Sequence, residues 1–225
     1  MSYYFLFVML FMAIAYGVEA YKAKQLPRFW KATGVLVIAG LIGVATNLSN
    51  LYHTYSYSKE TMRGKSELVY EGDAAQQTSS GLNRDYITQW SYGIGETWTL
   101  LVPNFKGGAS VPLAANETAM KKANPLYSNI YTQLTQYFGE QPMTSGPVYV
   151  GAFVLFLFIL GCFIVKGPMK WALLGATLFS ILLSWGKNFM PLTDFFIDFV
   201  PMYNKFRAVS SILVIAEFTI PLLAI

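Results

Sequence analysis

The sequence has very few of the residues that build disulfides and metal sites. Its only cysteine is Cys162 and its only histidine is His53. A single cysteine excludes a disulfide within the chain and any paired-cysteine metal motif. Cys162 lies in an apolar run, where a lone cysteine is interpreted as a small packing residue. His53 has no companion histidine or cysteine, so we do not expect it to bind a metal.

Charged residues are also scarce. They make up 12% of the sequence, against the roughly 25% that is usual for a soluble domain. Hydrophobic residues make up 54%, and this balance favours an integral membrane protein over a soluble one. The first apolar run lacks a basic segment before it and a small-residue cleavage site after it, so no signal peptide is predicted.

Five apolar runs resemble membrane-spanning helices, which need about twenty residues each. They cover residues 3–20, 32–48, 148–165, 171–185 and 208–225. Pro27 breaks any continuous helix between the first two runs. The predicted fold is an all-α polytopic membrane protein with about five transmembrane helices and one long, partly helical outer loop. Its parts are residues 1–51 with two spans, the loop at 52–147, and residues 148–225 with three spans and an outer connection at 186–206.

The two short loops decide the predicted topology. Residues 22–31 and 166–170 contain basic side chains and no acidic ones, so both are cytoplasmic by the positive-inside rule. The long loop and the 186–206 connection then share the outer, periplasmic face. This places the first residue outside, and an apolar run reaches Ile225 without a polar flank. We therefore expect the sequence to be a fragment of a longer polytopic chain.

The outer loop contains patterns of short helices. Residues 84–90 form one, with Asn83 as its N-cap, and residues 96–102 form a second. Residues 125–138 form a third, in which apolar residues recur every four positions. In the outer connection, residues 192–200 form a helix on the outer leaflet, with Thr193 as its cap. The small, polar stretch 71–81 is flexible or a turn.

Five segments together resemble a known family. They are residues 58–68 (SKETMRGKSEL), 95–108 (GETWTLLVPNFKGG), 139–142 (GEQP), 183–189 (LSWGKNF) and 203–207 (YNKFR). The resemblance is to the YfhO-like family of large bacterial membrane proteins, closest to versions from Bacteroidetes, and this chain corresponds to a middle portion. That family resembles the GT-C superfamily of glycosyltransferases, which take a sugar from a polyprenyl-phosphate carrier on the outer face of the membrane.

The resemblance implies a bacterial inner-membrane enzyme that transfers a sugar from a polyprenyl-phosphate donor to a cell-envelope polymer. Its expected partners are therefore membrane lipids, that donor and that polymer, with no nucleic acid. The usual GT-C carboxylate lies in the first outer loop, which this sequence is predicted to lack, so no catalytic residue is carried over by motif. No metal ligand cluster is visible, and the cofactor stays unassigned, although a divalent metal suits the chemistry.

Such a transfer needs a carboxylate base and cations for the leaving phosphate. Asp85 and Glu96 are the candidate bases, because they lie among aromatic residues in the 81–98 patch. Both acids would equally suit a helix start, where they complement the helix dipole. The candidate phosphate ligands lie in that patch and at the outer ends of spans: Arg84, Lys187, Lys205 and Arg207. The alternative for Lys187, Lys205 and Arg207 is snorkelling, or an ion pair with Asp194 or Asp198.

Glu217 is an ionisable residue deep in the last apolar run. A charge there costs roughly 3 kcal/mol, so it must face protein or water, or be protonated. Glu217 supports a second hypothesis, a transporter or lipid flippase in which it couples transport. In the alternative interpretation, Glu217 is a neutral acid that is hydrogen-bonded to a neighbouring helix. A third hypothesis is a non-catalytic envelope assembly protein whose outer loop binds a partner.

Overall fold

The computed structural model describes residues 2–61 and 82–225. Over those residues the structure is helical and has no β-strand, which confirms the all-α class. Its α-helices, in chain order, are α1 Ser2–Lys22, α2 Leu26–Ala45, α3 Leu48–Lys59, α4 Arg84–Thr88, α5 Glu117–Met120, α6 Ser128–Gln133, α7 Ala152–Ile164, α8 Pro168–Ser184, α9 Met190–Phe199 and α10 Val214–Ala224. The predicted turn at 71–81 and most of the 58–68 motif lie outside the described residues.

Within the described part of the chain, two helices are long and apolar enough to cross a membrane. They cover Tyr3–Lys22 and Leu26–Ala45. Helix α8 meets Gly186–Phe199 at a bend of 108°, and this pair qualifies as a third candidate only when counted as one span. Helix α7 and the stretch Val209–Ala224 are apolar but shorter. Length and composition therefore support a membrane protein with two or three candidate spans, where the sequence predicts about five.

The break between α1 and α2 lies at the predicted place. Lys24 has a left-handed backbone conformation with a φ of 56°, and Pro27 lies in the first turn of α2. Proline suits that turn because its missing N–H has no helical partner there in any case. Helix α2 thus begins at Leu26 rather than at residue 32, since the proline starts the helix instead of preceding it.

Helix α3 is a difference from the prediction, which began the outer loop at residue 52 and assigned no helix to residues 52–59. It follows α2 after only Thr46 and Asn47, and none of its residues is buried. The segment is rich in Ser, Tyr and Asn, which are weaker helix formers. Its composition therefore gave no clear helical signal.

Helix α8 is the centre of the packed core. On one side, the rings of Phe7 and Phe11 in α1 contact Phe179, with centroid distances of 5.3 and 5.4 Å. On another side α10 packs against α8, where the buried hydroxyls of Thr177 and Thr219 share a hydrogen bond of 2.7 Å. This bond satisfies two polar groups inside an apolar interface, as buried hydroxyls require.

Helix α7 packs closely against α10 at Gly161. A Cβ atom at Gly161 would collide with the main-chain carbonyl of Leu223, so the glycine allows the two backbones to approach. The helix starts at Ala152 rather than at residue 148. Before it, Gly151 has a φ of 108°, and the Val150 amide donates to the outer loop instead of to a helix.

The outer loop is less helical than predicted. The helix expected at 96–102 is a 3₁₀ helix at Ile94–Leu100. The helix expected at 125–138 is a 3₁₀ turn at Pro125–Tyr127 followed by α6, which ends at Gln133. It ends there because residues 134–138 pair with other backbone: the Leu113 amide donates to the Leu134 carbonyl at 2.7 Å.

Helix α9 forms close to its predicted bounds but begins differently. It starts at Met190, with Pro191 in its first turn. The predicted cap, Thr193, instead lies inside the helix and is buried. Its hydroxyl donates to the carbonyl oxygens of Gly186 at 2.9 Å and Phe189 at 3.2 Å. Thr193 therefore holds the bend between α8 and α9.

We predict that Gly161→Ala destabilises the helical core. The added methyl group meets the Leu223 carbonyl, and overpacking of this kind costs about 1–3 kcal/mol. The thermal unfolding midpoint of the protein in detergent should fall by several degrees. The matched control is Gly34→Ala in α2, where an added Cβ has no atom within 4 Å. Equal midpoints for the two variants would show that α7 and α10 are not in close contact.

Candidate functional site

The patch at residues 82–98 lies against the outer connection, as the sequence predicts. The Leu82 amide donates to the Asn204 carbonyl at 3.0 Å, and the Tyr92 amide donates to the Ser184 carbonyl at 2.8 Å. The Trp185 indole N–H also donates to the Thr97 hydroxyl at 2.9 Å. The 82–98 patch and the outer connection therefore form one packed unit. Gly81, at the start of the predicted patch, lies outside the described residues.

Gly186 is a point of close approach between the 82–98 patch and the outer connection. It has a left-handed φ of 47°, and a Cβ atom there would collide with the Ser91 hydroxyl oxygen and with Val209. The Ser91 hydroxyl oxygen accepts a hydrogen bond of 2.8 Å from the Lys187 amide. Only glycine meets both demands, since a left-handed conformation and the absence of a side chain are needed together.

Glu96 is buried, with 2% of its surface exposed. One carboxylate oxygen accepts the Gly93 amide at 2.6 Å, and the other accepts the Tyr137 hydroxyl. The Glu96 amide in turn donates to the Gly93 carbonyl at 2.9 Å, which closes a helix-start motif. Both oxygens are satisfied and shielded, so an acceptor hydroxyl cannot reach them. We therefore correct the prediction that Glu96 is a catalytic base: it is a structural carboxylate.

Two tyrosines share the enclosed environment of Glu96. Burial raises the pKa of Tyr92 to about 12, and the negative charge of Glu96 contributes. The pKa of Tyr137 is also raised, mainly by burial and secondly by its hydrogen bond to Glu96. The Tyr92 hydroxyl is hydrogen-bonded to the buried Thr99 hydroxyl. Both phenols are therefore neutral hydrogen-bonding groups near pH 7.

The guanidinium of Arg84 is already occupied. It forms ion pairs with Asp194 and Asp198, both in α9. The sequence prediction assigned Arg84 to a lipid phosphate and paired these aspartates with other cations. The structure corrects that assignment, because two carboxylates neutralise Arg84 and hold α4 against α9. A phosphate would have to displace both of them.

Arg207 lies on an aromatic platform formed by Tyr86 and Trp90. Its guanidinium carbon is 4.7 Å from the Trp90 ring centroid and 5.3 Å from that of Tyr86. It also donates a hydrogen bond to the Tyr86 hydroxyl. The side chain is exposed, and no carboxylate in the described ranges forms an ion pair with it. Aromatic faces hold a guanidinium without neutralising its charge, so Arg207 can bind an anion.

Asp85 comes immediately before Tyr86 in α4. The residue is exposed, and its amide is capped by the Asn83 side chain at 2.8 Å, as predicted. Its carboxylate takes part in no ion pair within the described ranges. Of the two predicted bases, Asp85 is therefore the accessible one, and it is on the helix that supplies Tyr86 to the platform.

The two remaining cations lie at the ends of the outer connection. Lys187 is exposed and precedes α9. Lys205 follows α9 and is partly buried, which lowers the pKa of its ammonium group. Neither residue contributes to the aromatic platform, so their predicted roles as phosphate ligands stay predictions.

Glu217 lies on the outer surface of α10 and is exposed. The charge of Glu217 contributes to the raised pKa of Tyr92, so Glu217 lies near this buried tyrosine of the outer loop. No cation within the described ranges forms an ion pair with Glu217. Across those ranges, no three His, Cys, Asp or Glu side chains group closely enough to hold a metal ion.

Sequence reasoning missed the roles of Tyr86, Trp90 and Tyr137. The first two lie within the aromatic patch, but nothing in their spacing shows that they stack on Arg207. Tyr137 comes just before the GEQP segment of the family resemblance. Within that segment, Glu140 accepts a hydrogen bond of 2.8 Å from the Asn188 side chain. The 139–142 and 183–189 segments, which lie far apart in the sequence, are therefore in contact, and this contact is visible only in the structure.

No protein-family model, no curated protein and no solved structure significantly matches this chain. The resemblance to the YfhO-like family therefore stays a prediction from the sequence segments.

We predict that Tyr137→Phe destabilises the outer loop by about 1–3 kcal/mol, because it removes a donor from the buried Glu96 carboxylate. Chemical unfolding followed by tryptophan fluorescence would measure the change. Tyr127→Phe is the matched control, since Tyr127 is exposed and its hydroxyl should contribute little. If the two variants are equally stable, Tyr137 does not support Glu96.

We also predict that stability falls at alkaline pH. Tyr92 titrates near pH 12 in the folded protein and near pH 10 in the unfolded chain. Between these values the folded state holds the extra proton, so the free energy of unfolding decreases as pH rises, by at most about 1.4 kcal/mol per pH unit for this group. Thermal unfolding midpoints from pH 8 to 11.5 would show the decline. Tyr92→Phe should make it shallower; an unchanged slope would contradict the assignment.

Proposed function

We propose that the chain crosses the bacterial inner membrane several times and exposes residues 52–147 and 186–206 on the outer face. In this arrangement α1, α2, α7, α8 and the stretch Val209–Ala224 are the five spans. The basic short loops at 22–31 and 166–170 support this orientation. The packing of α7 against α10, and of α10 against α8, supports placing these shorter helices in the same layer.

We propose that the outer face binds the phosphate of a lipid carrier at Arg207. The single observation that supports this most directly is an exposed guanidinium on the Tyr86–Trp90 platform without a carboxylate partner among the described residues. Guanidinium binds phosphate through paired N–H donors, and the aromatic faces orient it at little cost in side-chain freedom. Arg207 lies close to the first residues of the last apolar stretch, where a lipid phosphate would be.

The reaction proposed at this site is glycosyl transfer, as in GT-C enzymes. The acceptor hydroxyl oxygen forms a bond to the anomeric carbon of the sugar, and the bond from that carbon to the phosphate oxygen breaks. The lipid phosphate leaves with its electron pair and is stabilised by Arg207. Asp85 takes the hydroxyl proton. The acceptor would be a cell-envelope polymer, and the exposed aromatic rings suit contacts with sugar rings.

The second candidate function is a transporter or lipid flippase. It is favoured by Glu217, an exposed acid on an otherwise apolar helix, and by the 108° bend after α8, since interrupted helices and intramembrane acids often mark transport pathways. A non-catalytic envelope assembly protein is the third candidate, and the large exposed surface of the outer loop supports it.

Two variants separate these functions in purified protein reconstituted in vesicles. Arg207→Ala should weaken binding of polyprenyl phosphate at least tenfold, because one charge-assisted contact is worth roughly 1.5–3 kcal/mol. Asp85→Asn should keep that binding and abolish sugar transfer to the polymer. Lys121→Ala, in the exposed part of the loop, is the control for a general loss of positive charge.

Each result has a distinct meaning. Unchanged phosphate binding in Arg207→Ala overturns the site. Binding without sugar transfer by the unaltered protein removes the enzyme and leaves the transporter and the assembly protein, which vesicle experiments on lipid translocation with Glu217→Gln would then separate.

A further inference from the structure

The structure assigns a partner to the open face of α10: we propose that this face docks against a membrane-embedded helix that carries a lysine or arginine opposite Glu217. This inference rests on the proposed placement of α10 in the membrane. It does not depend on sugar transfer or on the Arg207 site.

The two faces of α10 differ sharply. One face is buried against α7 and α8 and includes Ile215, Ala216, Thr219, Ile220 and Leu223. The other face carries Glu217, Phe218 and Leu222, and all three are exposed, while the Phe218 ring also contacts Phe5 of α1 at a centroid distance of 5.4 Å. All three lie on the side of the helix opposite the buried residues, and Phe218 and Leu222, four positions apart, form one ridge along it. This ridge has the shape that packs into the groove of another helix.

The open face also has an unusual concentration of hydrogen-bond acceptors. Pro221 lies inside α10, and proline has no N–H to donate to the carbonyl four residues earlier. That carbonyl belongs to Glu217. One position of the face therefore presents a carboxylate together with a main-chain carbonyl that lacks its regular helical bond.

The Glu217 carboxylate has no cation partner in the described ranges, and Phe218 and Leu222 on the same face are apolar. Lipid tails have no donors, so an acid at this position needs a partner within the membrane. A lysine or arginine on a neighbouring helix supplies several N–H donors and the opposite charge, and can reach both acceptors.

A second copy of this chain does not supply such a group from its described helices. The basic residues of those apolar helices lie near their ends: Lys22, Arg28, Lys31 and Lys170. Glu217 instead lies near the middle of the helical stretch Val209–Ala224. Charge complementarity at this depth therefore favours a different helix.

The test uses designed transmembrane peptides as probes. One is a leucine-rich helix with a single central lysine, and its control has leucine at that position. The protein carries a fluorophore at Lys166→Cys in a Cys162→Ser background, which labels the end of the neighbouring α7. Energy transfer to acceptor-labelled peptide is measured in phosphatidylcholine vesicles. We expect the lysine peptide to associate about tenfold more tightly than the leucine peptide.

Variants link this preference to the proposed site. Glu217→Leu should remove the preference for lysine, and Pro221→Leu should weaken it by restoring the missing amide. Equal association of the two peptides with the unaltered protein overturns the proposal, as does a preference that survives Glu217→Leu. Self-association of the protein that depends on Glu217 also overturns it, in favour of a second copy.

A separate measurement tests the placement of α10 itself. Quenching of Leu222→Trp fluorescence by brominated lipids should be strong if this face lies in the hydrocarbon. Weak quenching would contradict the membrane arrangement, whereas strong quenching with no lysine preference would contradict only the partner.

Discussion

The buried carboxylate of Glu96 joins parts of the chain that are far apart in sequence. Its two oxygens hold the Gly93 amide and the Tyr137 hydroxyl, and Tyr137 in turn accepts the Gln141 amide at 2.9 Å. A buried carboxylate is costly unless each oxygen is paired, so these bonds must form together. Gly139 makes this possible, because a side chain there would overlap both Glu96 and Tyr137. This contact ties residues 93–96 to residues 137–141.

The ionisable residues of segments 82–98 and 186–207 then separate into two groups. Glu96 and Arg84 are engaged in internal bonds and ion pairs, so they hold the loop to itself and to α9. Asp85 and Arg207 are exposed and keep their charges available. Neighbours in sequence thus have opposite roles: Arg84 is structural and Asp85 is accessible. The helical geometry of α4 causes this, because adjacent residues point about 100° apart.

Local signals in the sequence predicted the features that depend on local physics. The break near Pro27, the Asn83 cap and the presence of α9 follow from backbone chemistry within a few residues. The failures concern contacts over long distances in sequence. Leu134 and Phe138 match a helical repeat, yet α6 stops before them because residues 134–138 pair with the backbone of residues 106–113. Glu96 and Asp85 are both acids near helix starts, and only the position of Tyr137 determines which of them is buried.

The bend at Gly186 brings the ends of two helices to the same segment of the loop. Helix α4 is tied to α9 by the Arg84 ion pairs. A few residues later, the Tyr92 amide and the Thr97 hydroxyl bond to Ser184 and Trp185 at the end of α8. Arg207, which follows α9 in the chain, rests on the Tyr86 ring of α4. The surroundings of Arg207 therefore depend on the angle between α8 and α9, which the hydrogen bonds of Thr193 hold in this structure.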